Sequence, residues 1–255
     1  MNEEKKSKRQ ERREKAQQKE RANRLRTMGL IVAGVAILVF LFISQQLKPV
    51  TGIVTVASEP RPSADRNSMG DPNAPIQIIE YGDYQCPFCE RFATDTEPLL
   101  AEFFVKTGKI RFTYRSAGNW VSSGAQAPNT ESQDSAAAAY CAADQGKFWE
   151  MQDTLFANVL GEDVGSFTDR RLQAIAEKVG LDMTEFNSCY NSSKYADQIQ
   201  QDFTDGTAAG VTGTPGFLIT YASNGETKTK TLSGAQPFST FQQELEAILV
   251  EIGAQ

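Results

Sequence analysis

The sequence predicts an α/β domain whose sheet is interrupted by a helical insertion, preceded by a single N-terminal transmembrane helix. Three observations support this prediction. Residues 29–43 contain no charged side chain, strand and helix patterns share residues 71–255, and Cys86 and Cys89 stand where the first strand gives way to the first helix. Strand and helix patterns mixed in one domain are typical of helices packed on a sheet.

The first 27 residues are predicted to be a basic cytoplasmic arm. They contain eleven Lys and Arg against five Asp and Glu, and a basic flank stays on the cytoplasmic side of a membrane helix. The chain after residue 43 contains fifteen Lys and Arg against twenty-seven Asp and Glu. Because this part is strongly acidic, we expect no nucleic acid among its partners.

Residues 28–47 are predicted to cross the membrane as an uncleaved anchor. Their length matches the roughly 20 residues that a helix needs to span a bilayer. A cleaved signal has a small-x-small site directly behind a shorter apolar region, but the nearest such site here, residues 55–57, lies well beyond the apolar run. A buried core helix is the other alternative, and one that is apolar on all faces beside a charged arm is unusual in a soluble domain.

Residues 48–70 are interpreted as a flexible linker, because they contain three prolines and many small polar residues. A flexible coil of this length spans roughly 30 Å. The remaining residues, 71–255, are numerous enough for one domain with its own core. With the basic arm inside the cytoplasm, this domain is expected outside it.

The elements of the domain follow from the spacing of apolar residues. Strand patterns occupy residues 75–81, 109–115, 216–221 and 227–232. Helix patterns occupy residues 86–103, then 135–143, 148–160, 172–179 and 186–203 within an insertion at about 117–208, and finally 238–252. Pro87 falls in the first turn of its helix, where a missing N–H costs nothing. Pro98 is expected to kink the same helix.

Cys86 and Cys89 are open to three interpretations: metal ligands, a structural staple, or a redox-active pair. A zinc site needs four ligands, usually Cys and His, but the chain has no histidine, and its other two cysteines do not form a second CxxC. We therefore predict neither a metal nor another cofactor. A staple is a weak alternative, because a two-residue loop constrains the unfolded chain little.

Redox chemistry suits the position of the pair better. Cys86 at the start of a helix meets unpaired N–H groups and the positive end of the helix dipole, which stabilise a thiolate. Cys89 lies one turn later, where it reaches Cys86 but is screened by the helix. We therefore expect Cys86 to be exposed and acidic, and Cys89 to be covered.

Two motifs together indicate a family. EYGDYQCPFC at residues 80–89 and GVTGTPGF at residues 210–217 resemble the thioredoxin superfamily, and the helical block between them resembles its DsbA branch. The lead-in GDPNAPI at residues 70–76 is similar to that of membrane-anchored bacterial DsbA-like oxidoreductases. The resemblance covers about residues 69–255 and implies a thioredoxin fold with an inserted helical subdomain.

The resemblance also implies roles for individual residues. Cys86 becomes the nucleophilic cysteine and Cys89 the resolving one. Thr214 and Pro215 match the loop whose proline is cis and packs beside the disulfide; without the family, this stretch would be a plain turn. The active-site loop residues are then Pro87, Phe88, Thr214 and Pro215.

Glu80 matches a buried acid that relays protons to the resolving thiol. A buried carboxyl with a raised pKa suits that task, whereas the alternative is a strand glutamate that faces solvent. Phe88 departs from the family pattern, because many strong oxidases have histidine between the cysteines. Phenylalanine cannot donate a hydrogen bond to the thiolate, so a weaker oxidant is expected.

Cys141 and Cys189 fall in two different helices of the insertion. They are either buried free thiols, which are common, or a structural disulfide. Because the domain is expected in an oxidising compartment, we predict the disulfide.

These interpretations predict an extracytoplasmic thiol:disulfide oxidoreductase that donates the Cys86–Cys89 disulfide to reduced exported proteins through a mixed disulfide. The resemblance implies a quinone-linked membrane partner that reoxidises the pair. The nearest alternative is a reductase or isomerase using the same CxxC, although such isomerases usually carry a separate dimerisation domain. From another class, the alternative is a membrane-tethered peptide-binding module without redox turnover.

Overall fold

The computed structural model describes residues 2–46, 49–118, 120–121 and 130–254. The chain divides into two compact units, Met1–Pro49 and Val50–Gln255. The first unit consists of one helix, α1 (Asn2–Gln46). The part of α1 from Lys8 to Ser44 is long and apolar enough to cross a membrane, judged by length and composition. The basic arm and the apolar run therefore share one continuous helix.

The second unit is an α/β domain, as predicted. Its strands are β1 (Ser68–Met69), β2 (Ile76–Gly82), β3 (Ile110–Ser116), β4 (Gly216–Ser223) and β5 (Glu226–Ser233). Its helices are α2 (Pro87–Asp95), α3 (Glu97–Leu100), α4 (Glu131–Ala143), α5 (Phe148–Phe156), α6 (Asp169–Val179), α7 (Met183–Asn191), α8 (Ala196–Ala208) and α9 (Phe238–Glu251), with one turn of π-helix at Ala101–Val105.

The five strands form one sheet in the order β1-β3-β2-β4-β5. The central pair, β2 and β3, is parallel, and the other neighbours are antiparallel. Along β3 and most of β2 fully buried residues alternate with partly buried ones, so one face of these two strands lies in the core and the other is only partly covered. The order confirms the predicted fold class, with β1 as an additional strand.

Two helical patterns are divided more finely than the sequence predicts. The helix that begins after Cys86 stops at Asp95 and restarts at Glu97, with Pro98 in the first turn of α3. Proline has no N–H to donate to the carbonyl of Thr94, and its ring crowds that carbonyl, but it is tolerated in a first turn, which explains a break rather than a kink. The pattern predicted over residues 186–203 likewise forms two helices, α7 and α8. In the described part of the insertion there are therefore five helices rather than four.

Charged contacts attach the insertion to the sheet. Arg115 on β3 pairs with Asp202 at 2.9 Å and with Asp205 at 2.8 Å, both on α8. Tyr140 on α4 donates a hydrogen bond to Asp202 and accepts one from the backbone N–H of Ser116. These bonds fix the insertion against the carboxyl end of β3, which is the same edge at which β2 leads into Cys86.

The predicted flexible linker is wrong for most of its length. Residues 50–62, here called the N-terminal strap, lie against α5. The side chain of Asn158 accepts a hydrogen bond from the N–H of Val54 and donates one to its carbonyl oxygen, both at 2.8 Å. Arg61 pairs with Glu97 at 2.7 Å and with Asp153 at 3.0 Å. Composition suggested a coil, but these long-range partners order the segment.

Candidate active site

Cys86 is the residue at which β2 ends and helical structure begins. It is the N-cap of α2, in an extended conformation, and Pro87 is the first helical residue. Its carbonyl oxygen accepts hydrogen bonds from the N–H groups of Cys89 at 3.0 Å and Glu90 at 3.1 Å. The side chain of Cys86 therefore stands at the positive end of the helix dipole, as the sequence predicts.

Both thiols are reduced and buried, so the expectation of an exposed Cys86 is wrong. Cys86 is 5% exposed and Cys89 is fully buried. The loop before β4 covers Cys86, whose Sγ lies 3.4 Å from the carbonyl oxygen of Thr214. From the sequence, only the family resemblance places this loop beside the two cysteines. The spacing of apolar residues does not predict how much of the Cys86 side chain the loop covers.

The two cysteines differ in acidity. A hydrogen bond from the Cys89 thiol, followed by one from the Thr214 side chain and by the N–H groups of Cys89 and Phe88, lowers the pKa of Cys86 to about 6 against the opposing effect of burial. Burial, reinforced by Cys86 and by the charge of Glu80, raises the pKa of Cys89 well above its ordinary value. The pair therefore contains one thiolate and one thiol at neutral pH.

Glu80 lies on β2 and faces the interior, which rules out the solvent-facing alternative. It is 2% exposed, opposite Tyr114 on β3 and Phe217 on β4. Burial raises the pKa of Glu80 well above its ordinary value, and the charges of Glu97 and Cys86 add to the rise. A carboxylic acid with a raised pKa holds its proton more firmly than an exposed one and suits proton transfer to a buried sulfur.

The Thr214–Pro215 peptide bond is cis, and Pro215 is buried. This bond immediately precedes β4, which pairs with β2 on one side and β5 on the other. Gly216 starts that strand in a tight space, since a Cβ there would lie 2.5 Å from Val211. The loop is thereby held beside the start of α2.

The residues between the two cysteines form the outer surface of the site. Pro87 and Phe88 are exposed, with 53% of Phe88 accessible. The guanidinium of Arg91 lies 5.2 Å from the centre of the Phe88 ring. This apolar ring and its cationic neighbour therefore lie on the surface beside Cys86.

Sequence reasoning missed two buried carboxyl groups at the site. Asp83 is 2% exposed and lies three residues before Cys86; burial raises its pKa to about 6. Glu97 is fully buried, and burial raises its pKa to about 7, although Arg61 opposes the rise. Asp83 lies within the motif at residues 80–89, and this position is the sequence signal that marks it. The sequence gives no indication that Glu97 is buried, because its partner Arg61 lies in the segment that was predicted to be a linker.

Cys141 and Cys189 form a disulfide between α4 and α7, as the sequence predicts. Cys141 is buried and Cys189 is partly exposed. In the described part of the chain, no group of three or more acidic or cysteine side chains is arranged to hold a metal ion.

The family comparison matches most of this domain. A family model described as thioredoxin matches residues 63–235. Among curated proteins, the chain is 31% identical over 160 residues to the Na(+)/H(+) antiporter NhaA 1 of Salinispora arenicola, covering 61% of this chain and 22% of that protein. The chain thus spans about a fifth of the length of the antiporters that it matches. It is also 22% identical over 156 residues to a probable disulfide bond formation protein D of Bacillus anthracis, covering 60% of this chain and 69% of that protein.

Among solved structures, oxidised BdbD from Bacillus subtilis is similar, with a TM-score of 0.59 and 18% identity, covering 77% of this chain and all of that one. At this identity the likeness concerns the fold. Because the family match spans more than half of the sequence and the fold is shared with DsbA-type structures, the chain belongs to the thioredoxin family and has its DsbA-like fold.

Proposed function

We propose that the protein is a thiol:disulfide oxidoreductase whose active pair is Cys86 and Cys89. The observation that carries the proposal is the opposite acidity of the two thiols, with a lowered pKa for Cys86 and a raised pKa for Cys89. Neither a metal site nor a structural disulfide requires the two cysteines to differ in pKa. The names of two similar proteins, a probable disulfide bond formation protein and BdbD, agree with this activity.

The favoured direction is oxidation of substrate proteins. A substrate thiolate attacks the Sγ of Cys86, the Cys86–Cys89 bond breaks, and Cys89 leaves as a thiolate that takes the proton of Glu80. A second substrate thiolate then attacks the substrate sulfur of the mixed disulfide, and Cys86 leaves as a stabilised thiolate. The substrate loses two electrons and the protein pair gains them.

The cellular setting is part of the proposal. The apolar stretch of α1 anchors the protein, the basic arm stays in the cytoplasm, and the domain acts on reduced exported proteins outside. A quinone-linked membrane partner accepts the two electrons from the reduced pair. The phenylalanine at position 88 predicts a reduction potential below that of the strongest oxidases, about −120 mV.

Trapping the intermediate tests the proposal. Replacing Cys89 with Ala leaves Cys86 nucleophilic and removes the resolving thiol, so substrate should accumulate on Cys86 through bonds that reductant cleaves. Replacing Cys86 should abolish both turnover and capture, because Cys89 is fully buried. Non-reducing electrophoresis of the two variants gives the result. Equal trapping by both would contradict the assignment of roles.

Two assays separate this function from its alternatives. An oxidase restores activity to reduced ribonuclease, whereas a reductase accelerates the reduction of insulin. A peptide-binding module does neither, and it would bind peptide equally well when Cys86 and Cys89 are both replaced.

A further inference from the structure

Asp83 contacts both cysteines through its backbone. Its N–H points at the Sγ of Cys89, with 3.4 Å between nitrogen and sulfur, and its carbonyl oxygen accepts the N–H of Cys86 at 3.0 Å. A donor aimed at a sulfur stabilises negative charge on it. The Cys89 sulfur becomes negatively charged each time its bond to Cys86 breaks. The Asp83 N–H is placed to stabilise that thiolate.

The carboxylate of Asp83 joins three segments of the chain. Oδ1 accepts the N–H of Gln85 at 2.9 Å, in the turn that leads into Cys86. Oδ2 accepts the N–H of Val121 at 3.1 Å, at the entry to the insertion. The hydroxyl of Ser132 on α4 also hydrogen-bonds to this carboxylate. Because the group is buried, movement of any of these segments would leave polar atoms unsatisfied.

The charge of this carboxylate acts on the nucleophile as well. Repulsion between ionised Asp83 and ionised Cys86 is one of the causes that raise the pKa of Asp83. The interaction is mutual, so the carboxylate also disfavours the Cys86 thiolate. The start of α2 and the Asp83 carboxylate therefore act on the Cys86 sulfur in opposite directions.

We propose that Asp83 is a positioning residue for disulfide exchange, which holds Cys89 against Cys86, ties this geometry to the helical insertion, and places a buried carboxyl group beside the pair. This inference rests on the proposed exchange between the two thiols. It adds a residue that neither the sequence motifs nor the family resemblance assigned.

One defined step tests the inference. Reduced full-length protein is mixed with oxidised glutathione; the Cys86 thiolate attacks one of its sulfurs, the glutathione disulfide breaks, and one glutathione leaves as a thiolate while the other stays bonded to Cys86. The release of this second glutathione is followed by acid quenching and mass spectrometry. In the release step the Cys89 thiol gives up its proton and its sulfur attacks the Sγ of Cys86, the bond to the glutathione sulfur breaks, and glutathione leaves as a thiolate that takes up a proton. Oxidised glutathione is the oxidant of the loading step, and the release step needs no other. The pKa of Cys86 is measured separately in the reduced protein from thiolate absorbance.

Three variants divide the roles. Asp83→Asn removes the charge and one of the two acceptor oxygens, so it should lower the pKa of Cys86, raise the equilibrium constant for oxidation of glutathione by roughly threefold, the effect of half a pKa unit, and slow release. Ser132→Ala keeps the carboxyl group and removes one of its hydrogen bonds, together with the bond that Ser132 accepts from Gln85, so it should slow release and lower the Cys86 pKa less than Asp83→Asn does. Asp163→Asn is the matched control, because Asp163 also bonds to Gln85 and should change neither quantity.

The outcomes are distinct. If Asp83→Asn and Asp163→Asn give the same Cys86 pKa, or if Ser132→Ala releases glutathione at the wild-type rate, the inference is overturned. If Asp83→Asn does not fold, the rate of glutathione release from Ser132→Ala is the deciding measurement. A wild-type protein that retains its glutathione would contradict the proposed function instead, and the pKa comparison would still decide the role of Asp83.

Discussion

Cys86 and Cys89 carry the same side chain in opposite surroundings, although only two residues separate them. Hydrogen bonds at the start of α2 and the Cys89 thiol favour the thiolate of Cys86. Complete burial keeps the proton on Cys89. The difference follows from position on the helix, because one sulfur faces the N–H groups that begin α2 and the other lies beneath the first turn.

This contrast predicts how alkylation of the reduced protein depends on pH. The thiolate is the reactive form, and the folded pKa of Cys86 is about 6. The rate of Cys86 modification by iodoacetamide should therefore rise through about pH 6 and level off above it, whereas an unperturbed thiol rises near 8.5. Peptide mass spectrometry measures the rate, with Cys86→Ser as the control for modification elsewhere. A midpoint at or above 8.5 would contradict the proposed nucleophile.

From the sequence, only the site residues that lie in recognisable motifs could be predicted. Cys86, Cys89 and the Thr214–Pro215 loop belong to two short motifs, so the family resemblance located them. Asp83 acts through backbone atoms and through partners such as Val121, which lies far along the chain. Such contacts depend on the folded path of the chain, and no periodicity encodes them.

The N-terminal strap places Arg61 beside the buried Glu97, and the effect of this contact on stability depends on pH. The side chains of Arg61 and Glu97 are 3% and 0% exposed, and Gln152 donates a hydrogen bond to Glu97 at 3.0 Å. Burial raises the pKa of Glu97 to about 7. Its protonated form therefore stabilises the fold below the ordinary carboxyl pKa, and this contribution is lost as the pH rises through about 7.

Replacing Arg61 with Met should destabilise the domain by about 3 kcal/mol at pH 8, because Glu97 then loses its buried counter-ion. The loss should be smaller at pH 5, where Glu97 is protonated and needs no cation. Urea unfolding at the two pH values measures both free energies. Lys106→Met is the control, since the exposed Lys106–Glu102 pair should contribute less than about 1 kcal/mol. An equal loss at both pH values would mean that packing of Arg61, rather than its charge, is responsible.

The disulfide between α4 and α7 should stabilise the insertion without taking part in exchange. Cys141 and Cys189 are 48 residues apart in sequence, and closing a loop of this length contributes about 4 kcal/mol through the entropy of the unfolded chain. Replacing both with Ala should lower the midpoint of thermal unfolding, while glutathione release from Cys86 continues. Unchanged stability would show that the disulfide is absent from the purified protein, which alkylation after denaturation without reductant would confirm.

Elements with strong periodicity were predicted well, and those that depend on distant partners were not. The strands β2 and β3 and the helix α9 have apolar residues at regular spacing, which identified them. The strand β1 has two residues and exists because β3 offers it a free edge. The N-terminal strap has a polar composition, and its order comes from residues 97, 153 and 158.

At the scale of the whole molecule, the proposed anchor predicts the N-terminus of the mature protein. The apolar part of α1 continues a basic helical segment, and the nearest small-x-small site lies beyond it. Intact-mass measurement of membrane-extracted protein should therefore find the basic arm still attached. A chain that begins near residue 58 would instead indicate cleavage, and this cut would fall within the N-terminal strap.

The strap also fixes where the folded domain begins. The sequence placed that boundary near residue 70, but the contacts of Val54 and Arg61 move it to about residue 50. A soluble chain that starts at residue 50 should therefore be more stable than one that starts at residue 70. The measurement is thermal unfolding of both chains, and equal midpoints would show that the strap contributes nothing.

The guanidinium of Arg61 lies 5.1 Å from the centre of the Trp149 ring, and this contact gives the molecule an optical reporter. Trp149 is 4% exposed and is one of only two tryptophans in the chain. Indole emission moves to longer wavelength when the ring passes from a protein interior into water. With Trp120 changed to Phe, the fluorescence of the remaining indole would follow the release of the strap in real time, without any added dye.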